Sequence, residues 1–234
     1  MDLTKFFHAQ ERRKAQKYLL KGNLAEPYAA YLQCVLVVDK NTSIQELDFV
    51  VLDTETTGLD YRQDKILSIG AFRIKGSSIL LDEAFDKQIA RFYTGKAGAV
   101  QTHQILKHEL SEGEDEYQTL LAFLEYVKGS IIVAHHADFD VEVLGRLCKT
   151  HFGFPIFNLY LDTLLLAKRL ERGIEQFSQI SKGEYTIDAL CTRYDIQNTG
   201  RHNALGDARA TAELFLILLH RLKKRGVTKL NQLL

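Results

Sequence analysis

From Leu47 onward the chain sets down three short apolar, β-rich runs in succession: Phe49-Val50-Val51-Leu52, Ile66 to Ile74 and Ile79 to Phe85. Lys75-Gly76-Ser77-Ser78 reads as a turn between the last two, so a three-stranded antiparallel meander is the economical prediction. After a Gly- and His-containing loop from Gly95 to Gln104, helical spacing around Glu116 to Val127 leads to Ile131-Ile132-Val133-Ala134, a buried strand by composition. A helix from about Phe139 to Thr150 and a short strand Leu159-Tyr160-Leu161 follow. Helices around Thr163 to Arg172, Thr186 to Tyr194 and Asp207 to Lys224 end the chain; the last carries Leu214, Phe215, Leu218, Leu219 and Leu222 on one stripe. The predicted fold is α/β: a mixed five-stranded sheet, antiparallel first and then parallel, flanked by helices. Gly173 to Glu184 is polar and reads as a loop beside this core.

Residues 1–46 differ in pattern. Apolar and charged residues recur there at helical spacing, interrupted by Gly22, Asn23 and Pro27, which predicts two helices forming an appendage to a domain spanning 47–234. The first 24 residues hold Lys5, Arg12, Arg13, Lys14, Lys17 and Lys21 against Asp2 and Glu11, a basic excess best read as a solvated helix face. The appendage is expected either to cap the core or to bind a protein partner.

Composition removes several classes of function. With 46% hydrophobic residues, 26% charged residues and only 2 prolines, the chain is neither disordered nor low-complexity. Thirty basic residues balance thirty acidic ones, against a strongly cationic nucleic-acid coat protein. The start lacks the apolar stretch of a secretory signal, and the longest aliphatic or aromatic run, Leu214 to Leu219, is far short of the ~20 residues that span a bilayer. No membrane association and a cytoplasmic location are expected. Cys34, Cys148 and Cys191 are widely spaced with no CxxC pair, so three reduced thiols are expected rather than disulfides or a thiolate zinc site.

Three clusters carry chemistry. Asp53 and Glu55 end the first apolar strand, and residues two apart on a strand share a face at ~6.6 Å. Two such carboxylates repel each other and resist joint ionisation unless a cation neutralises them, which points to a divalent metal. Thr56-Thr57-Gly58 follows, a glycine-containing turn whose backbone can approach a ligand closely. In the second cluster, Ile131 to Ala134 delivers His135, His136, Asp138 and Asp140 to the C-terminal end of a strand, where ligands bind in α/β sheets. Asp138 reads as a helix N-cap, and the two histidines as packed or hydrogen-bonded groups. The third cluster, Arg201-His202-Asn203-Ala204-Leu205-Gly206-Asp207, is a polar loop ending in an acid at the start of the long helix. There Asp207 could be a capping residue, while His202 is the side-chain type best suited to accept a proton from water at neutral pH.

Taken in order, FVVLDTETTGL, AHHADFD and HNALGDA resemble the DEDDh subgroup of the DnaQ-like 3′ to 5′ exonucleases over roughly residues 47–220. Lys65 to Ala71, Leu161-Asp162-Thr163 and Ile187 to Cys191 resemble supporting segments of the same family. His136 departs from the asparagine that many relatives carry there, which touches substrate positioning and leaves Asp140 in place.

The resemblance implies a ribonuclease H-like fold, two Mg²⁺ or Mn²⁺ ions, and hydrolysis of the terminal phosphodiester at a 3′ end with release of nucleoside 5′-monophosphates. Asp53 would bridge both ions, Glu55 and Asp207 would hold one of them, and Asp140 would act through water. His202 would be the general base, and Thr56, Thr57, Gly58 and Leu59 would grip the terminal nucleotide. Carboxylate donors suit Mg²⁺ or Mn²⁺ rather than a thiolate-loving metal. The expected partners are single-stranded or frayed DNA ends and a polymerase or other protein reached through the N-terminal helices. RNA 3′ ends are the alternative substrate, and a non-catalytic nucleic-acid-binding protein the rival from another class. Phe72, Phe92, Tyr93, Phe139 and Tyr185 could stack bases, although residues of this kind are more often core, and none is taken as a site. Arg221, Lys223, Lys224, Arg225 and Lys229 could touch phosphates or merely end a helix.

Overall fold

Four consecutive apolar residues in β1 (Asp48–Thr56), Phe49 to Leu52, let this strand bury both faces, and the rest of the molecule is built around it. In the computed structural model, which describes residues 13–90, 113–172, 183–197 and 200–234, β1 pairs antiparallel with β2 (Ile66–Lys75), and β2 with β3 (Ser78–Gln88). On its other side β1 pairs parallel with β4 (Ile131–Ala134), which pairs parallel with β5 (Tyr160–Asp162). The strand order is β3-β2-β1-β4-β5, the mixed five-stranded sheet that the sequence predicts. The expected loop Gly95 to Gln104 and nearly all of Gly173 to Glu184 lie outside the described residues.

Helices cover both faces. Val50 and Leu52 face a cluster with α2 (Glu116–Val127) and α3 (Ala137–Phe152); Phe49 and Val51 face a second cluster with α4 (Thr163–Arg172), α5 (Ile187–Tyr194) and α6 (Ala204–Lys224). Leu214, Phe215, Leu218, Leu219 and Leu222 of α6 are all buried, as their stripe predicts. Each such side chain contributes about 1.5 to 3 kcal/mol, so α6 is held firmly against the sheet. Gly70 in β2 is what lets α6 begin where it does. A Cβ at this position would lie 2.2 Å from the backbone nitrogen of Leu205 and 2.3 Å from the carbonyl carbon of Ala204, so the first turn of α6 rests directly on the strand.

Before the sheet, residues 13–20 are helical and α1 spans Glu26–Val35. Tyr28, Tyr31, Leu32 and Val35 of α1 belong to the same buried cluster as α2 and α3. The Tyr28 hydroxyl donates to the carbonyl of Pro155 at 2.6 Å, and Tyr31 donates to Asn158 Oδ1 at 2.6 Å while accepting from the Phe157 amide at 2.8 Å. Burying two phenols requires such partners, and both find them in the segment leading into β5. The segment after α1 is tied to the C-terminal end, with Ile44 N–H donating to Thr228 and Leu230 N–H to Thr42.

Two helix starts differ from expectation. The last helix begins at Ala204, not Asp207, because Asn203 is its cap and accepts from the amides of Leu205 and Gly206. The helix after β4 begins at Ala137, behind a left-handed His136, so Asp138 is not a cap and instead accepts from the Tyr160 hydroxyl at 2.7 Å. Among the described residues no helix is long and apolar enough to cross a membrane. No disulfide joins the cysteines; burial pushes the thiols of Cys148 and Cys191 up to about 12 and about 11, so both stay protonated and unreactive.

Candidate functional site

Alternation along β1 turns Asp53 and Glu55 toward the α6 side of the sheet and Thr54 toward the α3 side. The pairing with β2 shifts between Glu55 and Thr56, so the strand ends just beyond the two acids. From the facing side, the first turn of α6 brings in Asp207. One carboxylate oxygen from each of Asp53, Glu55 and Asp207 lies within 4.8 Å of the others.

Asp140 is not part of this group of three oxygens. It rides on the first turn of α3, on the other face of the sheet, where its Oδ1 accepts both the amide of Thr54 at 3.0 Å and its hydroxyl at 2.7 Å. Its charge still acts on Asp53 across the strand end.

His202 lies between α5 and α6, partly exposed and in the left-handed region at φ 63°. That conformation is uncommon for a residue with a Cβ, and it is held here by the His202 amide donating to Asp207 Oδ2 at 3.2 Å. Beside it, Arg201 donates to Asp207 Oδ1 at 2.5 Å and grips both carboxylate oxygens of Asp188 at 2.7 and 3.0 Å. Arg201, Asp188 and Thr54 were not singled out in the sequence as site residues. The one signal for Arg201 is a cation directly preceding His202 in a polar loop that ends in the acid Asp207.

Of the two histidines in the second cluster, His135 is partly buried and hydrogen-bonded, whereas His136 is exposed with its ring against that of His135. His135 lies against Thr163 Oγ1 at 2.9 Å and the Tyr185 carbonyl at 3.0 Å, and burial, helped by His136, pushes it down to about 4. Asp162 accepts from the amides of His136 and Leu164, so it fastens the left-handed turn and the start of α4. In the turn after β1, Thr56 Oγ1 donates to the Gly58 carbonyl at 2.6 Å, Thr57 Oγ1 to Asp64 Oδ1 at 2.8 Å, and Leu59 is 91% exposed. Phe72 and Tyr185 are core residues and Phe139 packs against the core, while Phe92 and Tyr93 fall outside the described residues. Two of the C-terminal cations have structural work: Arg225 donates to the Leu170 carbonyl, and Arg221 lies over the Tyr194 ring.

The electrostatics of the cluster follow from crowding acids away from water. Desolvation, then Asp140, Asp207 and Glu55, hold Asp53 well above the usual carboxylate range despite Arg201. Desolvation and Asp207 raise Glu55 to about 7, and desolvation raises Asp140 to about 7 against the two Thr54 hydrogen bonds. One cation, Arg201, does not neutralise this set. Three convergent carboxylate oxygens with no thiol or imidazole among them form a hard donor set, and Mg²⁺ or Mn²⁺ fits it.

A pH dependence follows. Glu55 and Asp140 titrate near ~4 in an unfolded chain and at about 7 in the fold, so the folded state binds the extra protons. That contribution to stability is complete below pH ~4 and is lost as pH rises through about 7. In chelator, the unfolding midpoint should therefore fall by several degrees between pH ~5.5 and ~8. Mg²⁺ or Mn²⁺, which binds the deprotonated cluster, should raise the midpoint more at the higher pH. Differential scanning fluorimetry checks this, and an equal metal effect at both pH values would contradict it.

Comparison with known proteins adds the family. The family RNase_T, described as exonuclease, matches residues 50–215, which include all five residues Asp53, Glu55, Asp140, His202 and Asp207. The chain belongs to this exonuclease family. It is 34% identical over 195 residues to the PolC-type DNA polymerase III of Thermotoga maritima, covering 82% of this chain and 13% of that protein. It is 35% identical over 199 residues to a DNA polymerase III subunit epsilon-like protein of Rhodobacter capsulatus, covering 82% of this chain and 27% of that one. The matched region is thus a minor part of these relatives' length.

Among solved structures, E. coli exonuclease I in complex with a dT13 oligonucleotide matches with a TM-score of 0.64 at 18% identity, over 77% of this chain and 42% of that one. The zinc-bound form of the E. coli enzyme with single-stranded DNA matches with a TM-score of 0.63 at 20% identity, over 77% and 42%. The fold is that of the DnaQ-like, ribonuclease H-like exonucleases.

Proposed function

We propose that this chain is a DEDDh-type 3′ to 5′ exonuclease that hydrolyses the terminal phosphodiester of single-stranded or frayed DNA and releases nucleoside 5′-monophosphates. The observation that carries the reading is the convergence of Asp53, Glu55 and Asp207, from two separate elements, directly beside His202. A fold alone does not imply an activity, but a partly buried, mutually repelling acid cluster is costly unless a cation uses it.

In this reading Asp53, Glu55 and Asp207 would hold two Mg²⁺ or Mn²⁺ ions, and Asp140 would act through water. When bound, such a pair offsets charge on the attacking and leaving oxygens of an in-line displacement. His202 takes the proton of the attacking water, and its half-exposed position in the loop leaves the imidazole free to pass that proton to solvent. Asp207 orients His202 through the amide of that residue, while Arg201 braces Asp207 against Asp188. The turn Thr56–Leu59 grips the terminal nucleotide, with the exposed Leu59 offering an apolar surface to the base.

DNA is chosen because the relatives named above are DNA polymerase III proteins and the matching fold has been seen with an oligodeoxynucleotide. The same relatives support a polymerase as partner. The burial of α1 beneath the tyrosine contacts supports reading residues 1–46 as a cap on the core. Chromatography of the products from DNA and RNA oligonucleotides of one sequence tests the proposal. Nucleoside 5′-monophosphates released faster from DNA are expected. Internal fragments would overturn it, and faster release from RNA would move the substrate class.

A further inference from the structure

We propose that Asp64 and Arg146 are positioning residues that clamp the turn Thr56–Leu59 to helix α3, fixing where the terminal nucleotide sits; the proposal rests on the reading of that turn given above. Residues 57–65 form a closed loop. Thr57 N–H donates to the Lys65 carbonyl at 2.9 Å, and the Lys65 amide returns a bond to Thr57 Oγ1 at 3.0 Å. Asp64 fills the loop with its carboxylate: Oδ1 accepts from Thr57 Oγ1 at 2.8 Å and Oδ2 from the Asp60 amide at 2.8 Å. Gly58 lies so close over this carboxylate that a Cβ would meet Asp64 Oδ2 at 2.6 Å, so a larger residue there would have to displace the Asp64 side chain.

The loop is fastened from outside by one side chain. Arg146 Nε donates to the Tyr61 carbonyl at 3.0 Å, and its Nη2 donates to the Asp64 carbonyl. Arg146 stands on α3 six residues after Asp140, ~9 Å along the helix axis. The helix that delivers Asp140 thus also holds the turn after Asp53 and Glu55, joining substrate turn and acids in one rigid unit. Against this bracing, Leu59 is 91% exposed and Tyr61 39% exposed. A loop secured by a carboxylate within it and a guanidinium from outside, yet presenting an apolar side chain to water, is organised for a ligand face rather than for its own packing. Holding it in place beforehand removes an ordering cost that would otherwise fall on substrate binding.

The test uses the full chain and the variants Asp64→Asn, Arg146→Met and Arg146→Lys, with folding monitored by thermal unfolding. The first two should raise KM for a single-stranded DNA oligonucleotide roughly tenfold or more, with kcat much less affected and Mn²⁺ affinity by calorimetry unchanged. Arg146→Lys, which can keep one of the two bonds, should fall between them and the parent chain. Oligonucleotide binding by fluorescence anisotropy in Ca²⁺ reads the same weakening without hydrolysis. Unchanged KM and anisotropy in Asp64→Asn and Arg146→Met, or losses confined to kcat or to Mn²⁺ affinity, would overturn the clamp. Failure of the parent chain to cleave any oligonucleotide in Mg²⁺ would instead overturn the exonuclease reading, and the binding measurement would still decide the clamp.

Discussion

Asp53→Asn is expected to lower the rate of 3′-end hydrolysis by at least ~10³-fold while leaving the protein folded and, without metal, more stable than the parent chain. The two effects have one cause. Asp53 lies at the centre of the repulsion, raised by desolvation and by each of Asp140, Asp207 and Glu55. An amide of the same shape removes a charge that the metal-free fold accommodates poorly, so the unfolding midpoint in chelator at pH ~8 should rise. The same change removes one of the three carboxylates that would hold the metal, and with it charge stabilisation the reaction needs. Single-turnover kinetics alongside scanning fluorimetry checks the pair. A variant that is inactive because it is unfolded, or one that keeps its rate, would contradict this account of Asp53.

His202→Asn should behave differently. Asn tolerates the left-handed conformation seen at φ 63°, so the backbone bond from residue 202 to Asp207 can persist and the cluster should keep its metal affinity. Loss of a positioned general base should reduce kcat by about 10² to 10⁴-fold, with KM within a few-fold of the parent value. Steady-state kinetics with calorimetric Mn²⁺ titration makes the separation visible. A fall in metal affinity as large as the fall in rate would place His202 in the metal site rather than in proton transfer.

Much of this arrangement was legible in the residue pattern, for a local reason. The meander, β4 and the stripe on α6 are written in short-range periodicity, and Asp53 with Glu55 is a two-residue repeat that a strand converts directly into shared direction. What escaped is non-local. Thr54 meets Asp140 across 86 positions, and Arg146 meets the Tyr61 and Asp64 carbonyls across 85 and 82. No periodicity encodes such pairs. The same holds for α1: its pattern shows a helix, but that Tyr28 and Tyr31 lie against residues 155 to 158 depends on the finished sheet. Asp138 suits a cap by type and place, but Asp162, arriving from β5, takes the turn's amide instead. Asn203, a favoured capping type, moved the start of α6 ahead of Asp207 and left that acid to face the cluster.

The measurement that tests the central claim most directly is a denaturing gel of a 5′-labelled single-stranded DNA oligonucleotide incubated with the parent chain in Mg²⁺, in Mn²⁺ and in excess chelator, with Asp53→Asn beside it. A ladder that shortens stepwise from the 3′ end with either metal, and is absent in chelator and in the variant, is the expected result. Shortening that persists in chelator or in Asp53→Asn, or an oligonucleotide left intact in both metals, would contradict the claim that these carboxylates drive 3′ to 5′ hydrolysis.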